Sequence, residues 1–475
     1  MDQLFVAPTF LAAVSEAAAI RAGLYGDGGR RVLLTTNNSL VPEVSRSIEH
    51  APGFSAIAET FDEILHLNDY ITPMHPRGWL VPKSEAAPVV RRILKRAGLA
   101  RDVGVTMQSL SVAPSLTIAK ALPDSQITVV SDGLMSYGPA PKSLTDDVAA
   151  RLNQLLYLEL VPGLEPILFS EYGIRDTIIP TEAFTSVLAD YAAAHPERAR
   201  LAALEGTVDA LVVGQYLAAL DLVSVEEETQ LYRDMVASAA ELGHRRIVFK
   251  PHPSAPPAFA DALFGVAAER GVEVSILDVP VPVEAIYAVA RPEIVIGSFS
   301  TALATAALYG IRTASVGTAQ IAQALPTYGD SNRVPLAITA ATSDRIIERG
   351  GAVAVVPPLD VDLARLLRAL AGTMHPMRYE KLRRSAERFA ASAERSADLR
   401  PFFGSWQQSK TSLDFGMLMR AVVRKLPEGL TSPIRTRLSR FTRLQRDRID
   451  RVKLAAKLEV PELTPEDFER ERLGH

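Results

Sequence analysis

The chain has 475 residues, 48% hydrophobic and 22% charged, with a net charge of −4. These values suit a soluble globular protein of about two domains and argue against a dedicated nucleic-acid binder. Cysteine is absent, which excludes disulfides, thiolate metal sites and a cysteine nucleophile and fits a reducing cytosol. The opening "MDQLFVAPTFLAAVSEAAAI" lacks the basic n-region of a signal peptide, and Ser15 and Glu16 interrupt its apolar run. No apolar stretch is long enough to span a bilayer. The expectation is a cytoplasmic protein, at most peripheral to a membrane.

Taken in chain order, apolar runs alternate with helical patterns. "LFVAP" (4–8) reads as a strand, followed by an Ala-rich helix near 9–22. "RVLLTT" (31–36) is a second strand, "VPEVSRSIEH" a helix and "EILHL" (63–67) a third strand. "VGVTMQSL" (103–110), a helix at about 114–121 and "QITVVSDG" (126–133) continue the series, and "PILFSEYG" (166–173) closes it. A second series runs from "DALVVGQYL" (209–217) through a helix near 225–242, "RIVFKPHP" (246–253) and a helix near 256–270. It continues with "VEVSIL" (272–277), a short helix at "EAIYAVA", "EIVIGSFST" (293–301) and a helix near 301–309. "RTASVG" (312–317) is its last clear strand. Such alternation predicts parallel sheets covered by helices on both faces. Two doubly wound halves joined near 206 would face each other across a cleft at the carboxyl ends of their strands.

The last hundred residues differ. Between Arg420 and Lys457 twelve Lys or Arg stand against three acids, with Leu438, Phe441, Leu444 and Ile449 at helical spacing. Such a basic amphipathic helix either lies on an anionic membrane surface or packs, solvated, on the body of the protein.

Three strand ends carry chemistry. In "RRIVFKPHPSAPP" (245–257) a buried strand ends in Lys250-Pro251-His252-Pro253. Proline stops the sheet ladder there, and in an extended chain Lys250 and His252 project from one face. The alternative is a turn with an exposed histidine. In "EIVIGSFSTALATAALYG" (293–310) a β-branched run ends in Gly297, Ser298, Phe299, Ser300 and Thr301, and a helix begins at once. That is either a capped helix start or a cradle for phosphate, since free N–H groups and the positive helix end suit an anion. In "ITVVSDGLMSYGP" (127–139) Asp132 either closes an Asp-Gly turn or presents a base to a substrate hydroxyl. Gly214 and Gln215 end the strand of "DALVVGQYL", where a nucleotide is commonly met. "ITPMHPRGW" (71–79) holds a second His-Pro pair, His75-Pro76, beside Arg77 and Trp79, and is either a surface loop or an acceptor contact. No His/Asp/Glu cluster at metal-ligand spacing is visible, and no cofactor is expected.

In order and spacing, "SDG" (131–133), "HP" (252–253) and "ST" (300–301) resemble the motifs of the bacterial sialyltransferases, particularly the polysialyltransferase-like group. "VAPTF" and "VVGQYL" add to the likeness, which covers about residues 1 to 375. The resemblance implies a GT-B fold: two Rossmann-like domains facing a central cleft, with a C-terminal helical extension. The acceptor domain would span 1–205, the donor domain 206–374 and the basic extension 375–475. It further implies a CMP-activated nonulosonic acid such as CMP-sialic acid as donor and a surface glycan as acceptor, in a metal-independent, inverting transfer. His252 would be the general acid toward the CMP phosphate, and Ser300 and Thr301 would hold that phosphate, with Lys250 adding charge and Ser298 also expected to bind substrate. The family's base is the first acid of an acidic-acidic-Gly motif. This chain has Ser131 there and keeps only Asp132, so either Asp132 takes over or the turn is shifted.

Two other readings remain open on the sequence. Teichoic-acid-type polymerases that use CDP-glycerol also carry Lys/Arg-x-His-Pro at a strand end, although the position of their second histidine falls here in "SDG". A protein that binds nucleotide or glycan without turnover is the other.

Overall fold

The computed structural model of the protein describes residues 1–39, 42, 46–215, 217–220, 222–252, 259–349, 352–404 and 406. The basic stretch from Arg420 to Lys457 lies outside these described residues, as does Pro253.

The first lobe is built on seven strands: β1 (Gln3–Ala7), β2 (Arg31–Thr35), β3 (Glu63–His66), β4 (Gly104–Met107), β5 (Ile127–Ser131), β6 (Leu152–Leu158) and β7 (Arg175–Ile179). All pair parallel, in the order β3-β2-β1-β4-β5-β6-β7. The second lobe repeats this plan with β8 (Ala210–Val213), β9 (Arg246–Lys250), β10 (Glu273–Ile276), β11 (Ile294–Gly297), β12 (Arg312–Val316), β13 (Asp344–Arg349) and β14 (Ala352–Val356). Its order is β10-β9-β8-β11-β12-β13-β14, and only β14 runs antiparallel to its neighbour. Central strands such as β4, β8 and β11 are buried along their whole length. That is why they appear in the sequence as continuous apolar runs, not alternating ones. Two doubly wound α/β lobes facing one cleft is the expected GT-B architecture.

Each sheet reverses its winding once, between β1 and β4 and between β8 and β11. Doubly wound sheets hold their ligands outside the strand ends at such reversals. The loops after β8, β9 and β11 surround the second reversal, and the loop after β5 lies one strand from the first.

Several elements depart from the sequence expectation. "PILFSEYG" is not a strand: it carries a 3-10 turn at Ser170–Tyr172, and Phe169 sits buried at a left-handed φ of 61°. Its apolar side chains face the interior from a loop, so hydrophobicity alone misread it. The first sheet is completed instead by β6, whose apolar run is broken by Asn153 and Gln154, and by β7, an edge strand with exposed Arg175 and Asp176. β13 and β14 lie beyond the last strand expected. Of the helix expected in "VPEVSRSIEH", the described part is a 3-10 turn at Ile48–His50. A helix not anticipated, Lys83–Ala97, covers the first sheet.

The lobes are tied together away from the cleft. Helix Val283–Ala290 of the second packs on Thr181–Ala194 of the first. After helix Leu363–Met374 the chain returns to the first lobe, where the Tyr379 hydroxyl donates to Glu171 Oε2 at 2.9 Å and the Arg378 guanidinium reaches the Ala140 carbonyl. Arg333, 2% exposed, anchors this closing segment. It donates to the carbonyls of Tyr328 (3.0 Å), Phe402 (3.1 Å), Thr327 (3.3 Å) and Ala322 (3.4 Å), and lies 4.7 Å from the Tyr328 ring centroid. Arg333→Met strands those carbonyls, so it is expected to cost about 2–4 kcal/mol. The readout is a lowered urea midpoint for the second lobe. Arg333→Lys should restore little, because an ammonium cannot reproduce the planar fork.

Candidate active site

The strand ends converge on one interlobe cavity of about 560 Å³. Gln108, Ser131, Asp132 and Gly133 line it from the first lobe, and Gly214, Gln215, His252, Ser300 and Thr301 from the second.

Asp132 follows directly on β5 and is 8% exposed. Gln108 Nε2, beyond the end of β4, donates to both carboxylate oxygens at 2.9 Å. Burial raises the Asp132 pKa, and the bonds from Gln108, its own backbone and the Thr9 hydroxyl oppose the shift. Thr9 also caps helix Phe10–Arg21 by accepting from Ala12 N at 3.1 Å, so the carboxylate is tied to that helix start. Two further buried carboxyls feel the Asp132 charge. Glu16 of the same helix and Glu284 of the second lobe are raised first by burial and further by Asp132.

Ser131, at the family's first acidic position, also lines the cavity, and its hydroxyl is engaged inside the turn. The Ser136 hydroxyl lies 2.8 Å from Ser131 Oγ and 2.7 Å from the Gly133 carbonyl. A serine with this partner shapes the turn and cannot serve as a carboxylate base.

His252 lines the cavity just beyond β9. Its pKa is lowered by burial first and the Lys250 ammonium second, opposed by the Glu228 carboxylate. Gly214 permits this placement. A Cβ there would stand 3.2 Å from His252 N and 3.1 Å from Phe249 Cζ, so any larger residue presses on the histidine turn.

Ser300 is the N-cap of helix Thr301–Leu308, accepting from Ala302 N at 3.1 Å. The positive end of that helix therefore points into the cavity. Thr301 meets the other lobe: Leu134 N donates to its Oγ1 at 3.5 Å, and a Cβ on Gly133 would lie 2.9 Å from that oxygen. The glycine of "SDG" is there because the opposite lobe leaves no room for a side chain.

Three expected residues stand in a supporting layer. Gln215 lines the cavity, but its amide is spent internally: Oε1 accepts from Ser298 N (2.8 Å) and Phe299 N (2.9 Å), and Nε2 donates to the Phe299 carbonyl. Ser298 is fully buried and Lys250 is 7% exposed, and neither is among the lining side chains. Lys250 Nζ donates to the Pro251 carbonyl at 3.3 Å, and burial lowers its pKa. The loop after β8 is held by Glu228, fully buried, which accepts from Leu217 N (2.7 Å), Ala218 N (2.9 Å) and the Tyr232 hydroxyl (2.5 Å).

His75 is not among the lining residues. Its Nε2 donates to the Ser39 carbonyl at 2.7 Å and its Nδ1 accepts from Arg77 N at 3.2 Å, while Trp79 is buried. That histidine fastens a loop. Sequence reading missed Gln108, Thr9 and the pair Ser331 and Asn332, which enter the cavity at the start of helix Arg333–Thr342. Thr9 was visible as a Thr before an apolar helix. Gln108 carried no signal beyond its place after a strand.

The alpha-2,8-polysialyltransferase family model matches residues 3–318. The chain belongs to this family. It is thus a sialyltransferase-like glycosyltransferase. No curated protein matches the sequence. Among solved structures, the chain is similar to UDP-GlcNAc 2-epimerase from Methanocaldococcus jannaschii at 12% identity, covering 78% of this chain and 99% of that one with a TM-score of 0.44. A putative UDP-N-acetylglucosamine 2-epimerase from Listeria monocytogenes matches at 11% identity over 83% of this chain and 95% of that one, with a TM-score of 0.41. MurG from Acinetobacter baumannii matches at 10% identity over 81% and 94%, with a TM-score of 0.39.

The contact across the cleft gives a direct test. Gly133 has φ −147°, which alanine adopts freely, so Gly133→Ala acts only through its clash with Thr301. It should open the lobes, raise the radius of gyration in solution scattering, and lower transfer by about 10²-fold. Adding Thr301→Ala in the same chain removes the obstructing hydroxyl and should return the scattering curve to that of the unaltered protein.

Proposed function

We propose that this polysialyltransferase-family protein transfers sialic acid or a related nonulosonic acid from a CMP-activated donor to a hydroxyl of a surface glycan, with inversion. What carries the reading is one cavity lined by a carboxylate from one lobe and by an imidazole and two hydroxyls at a helix start from the other.

In this reading the CMP phosphate rests against Ser300, Thr301 and the positive end of helix Thr301–Leu308. Gly214 lets the donor approach the loop after β8, and Gln215 and Ser298 hold the β11 loop in shape behind it. The acceptor hydroxyl lies at Asp132. As the bond from the anomeric carbon to the phosphate oxygen breaks, the electron pair leaves with CMP and His252 supplies a hydrogen-bonded proton to it. The acceptor oxygen bonds to the opposite face of the oxocarbenium-like centre, and its proton passes to Asp132. Negative charge grows on the departing phosphate, so the helix end and the Lys250 ammonium beneath the site favour the transition state over the bound donor. Contact of the Arg420–Lys457 stretch with an anionic membrane surface belongs to the same proposal.

The two shifted groups fix the pH response. Asp132 acts as its carboxylate, so kcat/KM falls as pH drops through its raised pKa. His252 acts protonated, so kcat/KM also falls as pH rises through its lowered pKa. The two limbs are pushed toward each other, and a narrow bell is expected. Asp132→Asn should remove the acidic limb and about 10²–10⁴ of the rate, and His252→Ala the alkaline limb with a similar loss. Assays with CMP-sialic acid and CDP-glycerol side by side decide the donor. Turnover of CDP-glycerol alone, or tight CMP binding with no turnover of either, would overturn the proposal.

A further inference from the structure

On the first-lobe side the cavity is walled by two loops. Pro139 and Pro141 line it from one, Leu168 and Phe169 from the other. Phe169 sits at a left-handed φ of 61°, which a bulky residue adopts only where its surroundings impose it. The amides of Ile167 and Leu168 both donate to the Ser136 carbonyl, at 3.0 and 3.1 Å. The Ser136 hydroxyl in turn meets Ser131 and the Gly133 carbonyl, on either side of Asp132. The wall is therefore packed on the turn that carries the carboxylate.

One side chain from far along the sequence grips both loops. Arg378 follows helix Leu363–Met374, beyond the residues 3–318 that match the family model. Its guanidinium donates to the carbonyl of Ala140, the residue between the two lining prolines. Its Nε stands 3.6 Å from Oε1 of Glu171, two residues past Phe169. The side chains of this pair are 13% and 10% exposed, and the other Glu171 oxygen accepts from the Tyr379 hydroxyl at 2.9 Å. A planar guanidinium serves two partners in different directions, which an ammonium does poorly. Without it, a nearly buried carboxylate loses its cation and a carbonyl loses its donor. Both groups would then turn toward water and carry their loops with them.

From this geometry we propose that Arg378 is a positioning residue, which sets the wall beside Asp132 on which the acceptor is seated. It is not among the lining residues and acts through Ala140 and Glu171. The inference rests on the transferase reading above and assigns the seating of its acceptor. His252, Ser300 and Thr301 stand on the other lobe, so the brace governs the acceptor and not the donor.

The test uses the full chain with CMP-N-acetylneuraminic acid as donor and, in parallel, lactose and oligosialic acid as acceptors. Donor hydrolysis without acceptor is measured alongside, as is hydrogen exchange at the amides of Ile167 and Leu168. Arg378→Gln should raise the acceptor KM about tenfold or more, while donor KM and donor hydrolysis stay within about twofold. Exchange at the two amides should quicken by about tenfold. Arg378→Lys keeps the charge without the fork and should fall between Arg378→Gln and the unaltered protein. Tyr379→Phe deletes one hydroxyl and keeps the buried ring, and should shift the acceptor KM the same way by about threefold. An arginine that only stabilised the fold would, when replaced, cut kcat through the active fraction and leave both KM values in place. That result, donor and acceptor KM rising together, or unchanged exchange at Ile167 and Leu168 overturns the inference and leaves the transferase reading standing. Donor hydrolysis with transfer to neither acceptor does the same. A donor left intact under every condition overturns the transferase reading and the inference with it.

Discussion

The two sides of the cavity are held to each other by the approach of Gly133 and Leu134 to Thr301. One cavity-lining residue stands beside each side of this contact: Asp132 precedes the glycine, and Ser300 precedes the threonine. A missing side chain and one hydroxyl therefore set how far the carboxylate stands from the start of helix Thr301–Leu308. The buried strands make each sheet rigid, so this contact governs how the two sides of the cavity face each other.

Around that contact the protein arranges layers of hydrogen-bonded support. Gln108 and Thr9 hold the carboxylate from two different strand ends, and neither is charged. Gln215 splints the loop after β11 to the loop after β8, and Glu228 with Tyr232 fixes the latter loop to its own helix. Each of these groups satisfies backbone N–H or carboxylate oxygens that would otherwise be buried without partners. The result is a pair of opposing titratable groups whose ordinary pKa values are pushed toward each other: burial raises that of Asp132, and desolvation with the Lys250 ammonium lowers that of His252.

What could be read from the sequence follows from this layout. The central strands were legible because burial on both faces turns them into unbroken apolar runs, and Pro251, Gly297 and the Asp132-Gly133 pair marked where they stop. The edges were not. β7 is polar because one side meets solvent, β14 reverses direction, and "PILFSEYG" is apolar without being a strand because its side chains fill the interior from a loop. In the site, His252, Ser300, Thr301 and Asp132 could be named because each sits at a strand end with distinctive chemistry. Gln215 could be named as well, though not its occupation, since an amide that bridges two loops looks the same in sequence as one that meets a nucleotide. Gln108 was beyond reach: its meaning lies in which strand neighbours which, and that order is set by the reversal of winding.

The replacement of an acid by Ser131 fits the same geometry. A carboxylate at that position would sit beside Asp132, itself 8% exposed, and two like charges so close could not both ionise. The serine removes that conflict, and its hydroxyl joins the Ser136 hydroxyl and the Gly133 carbonyl in fixing the turn on which the contact with Thr301 depends. Charge and turn are thus divided between adjacent residues: Asp132 carries the carboxylate, and Ser131 keeps the shape. The helix Phe10–Arg21 then becomes part of the site, because Thr9 at its start steadies the one carboxylate left, and the pKa of Glu16 further along it is raised by burial and by that same carboxylate. Moving an acid back to position 131 would therefore not add a second base. It would raise the pKa of the first and strain the turn that brings the lobes together.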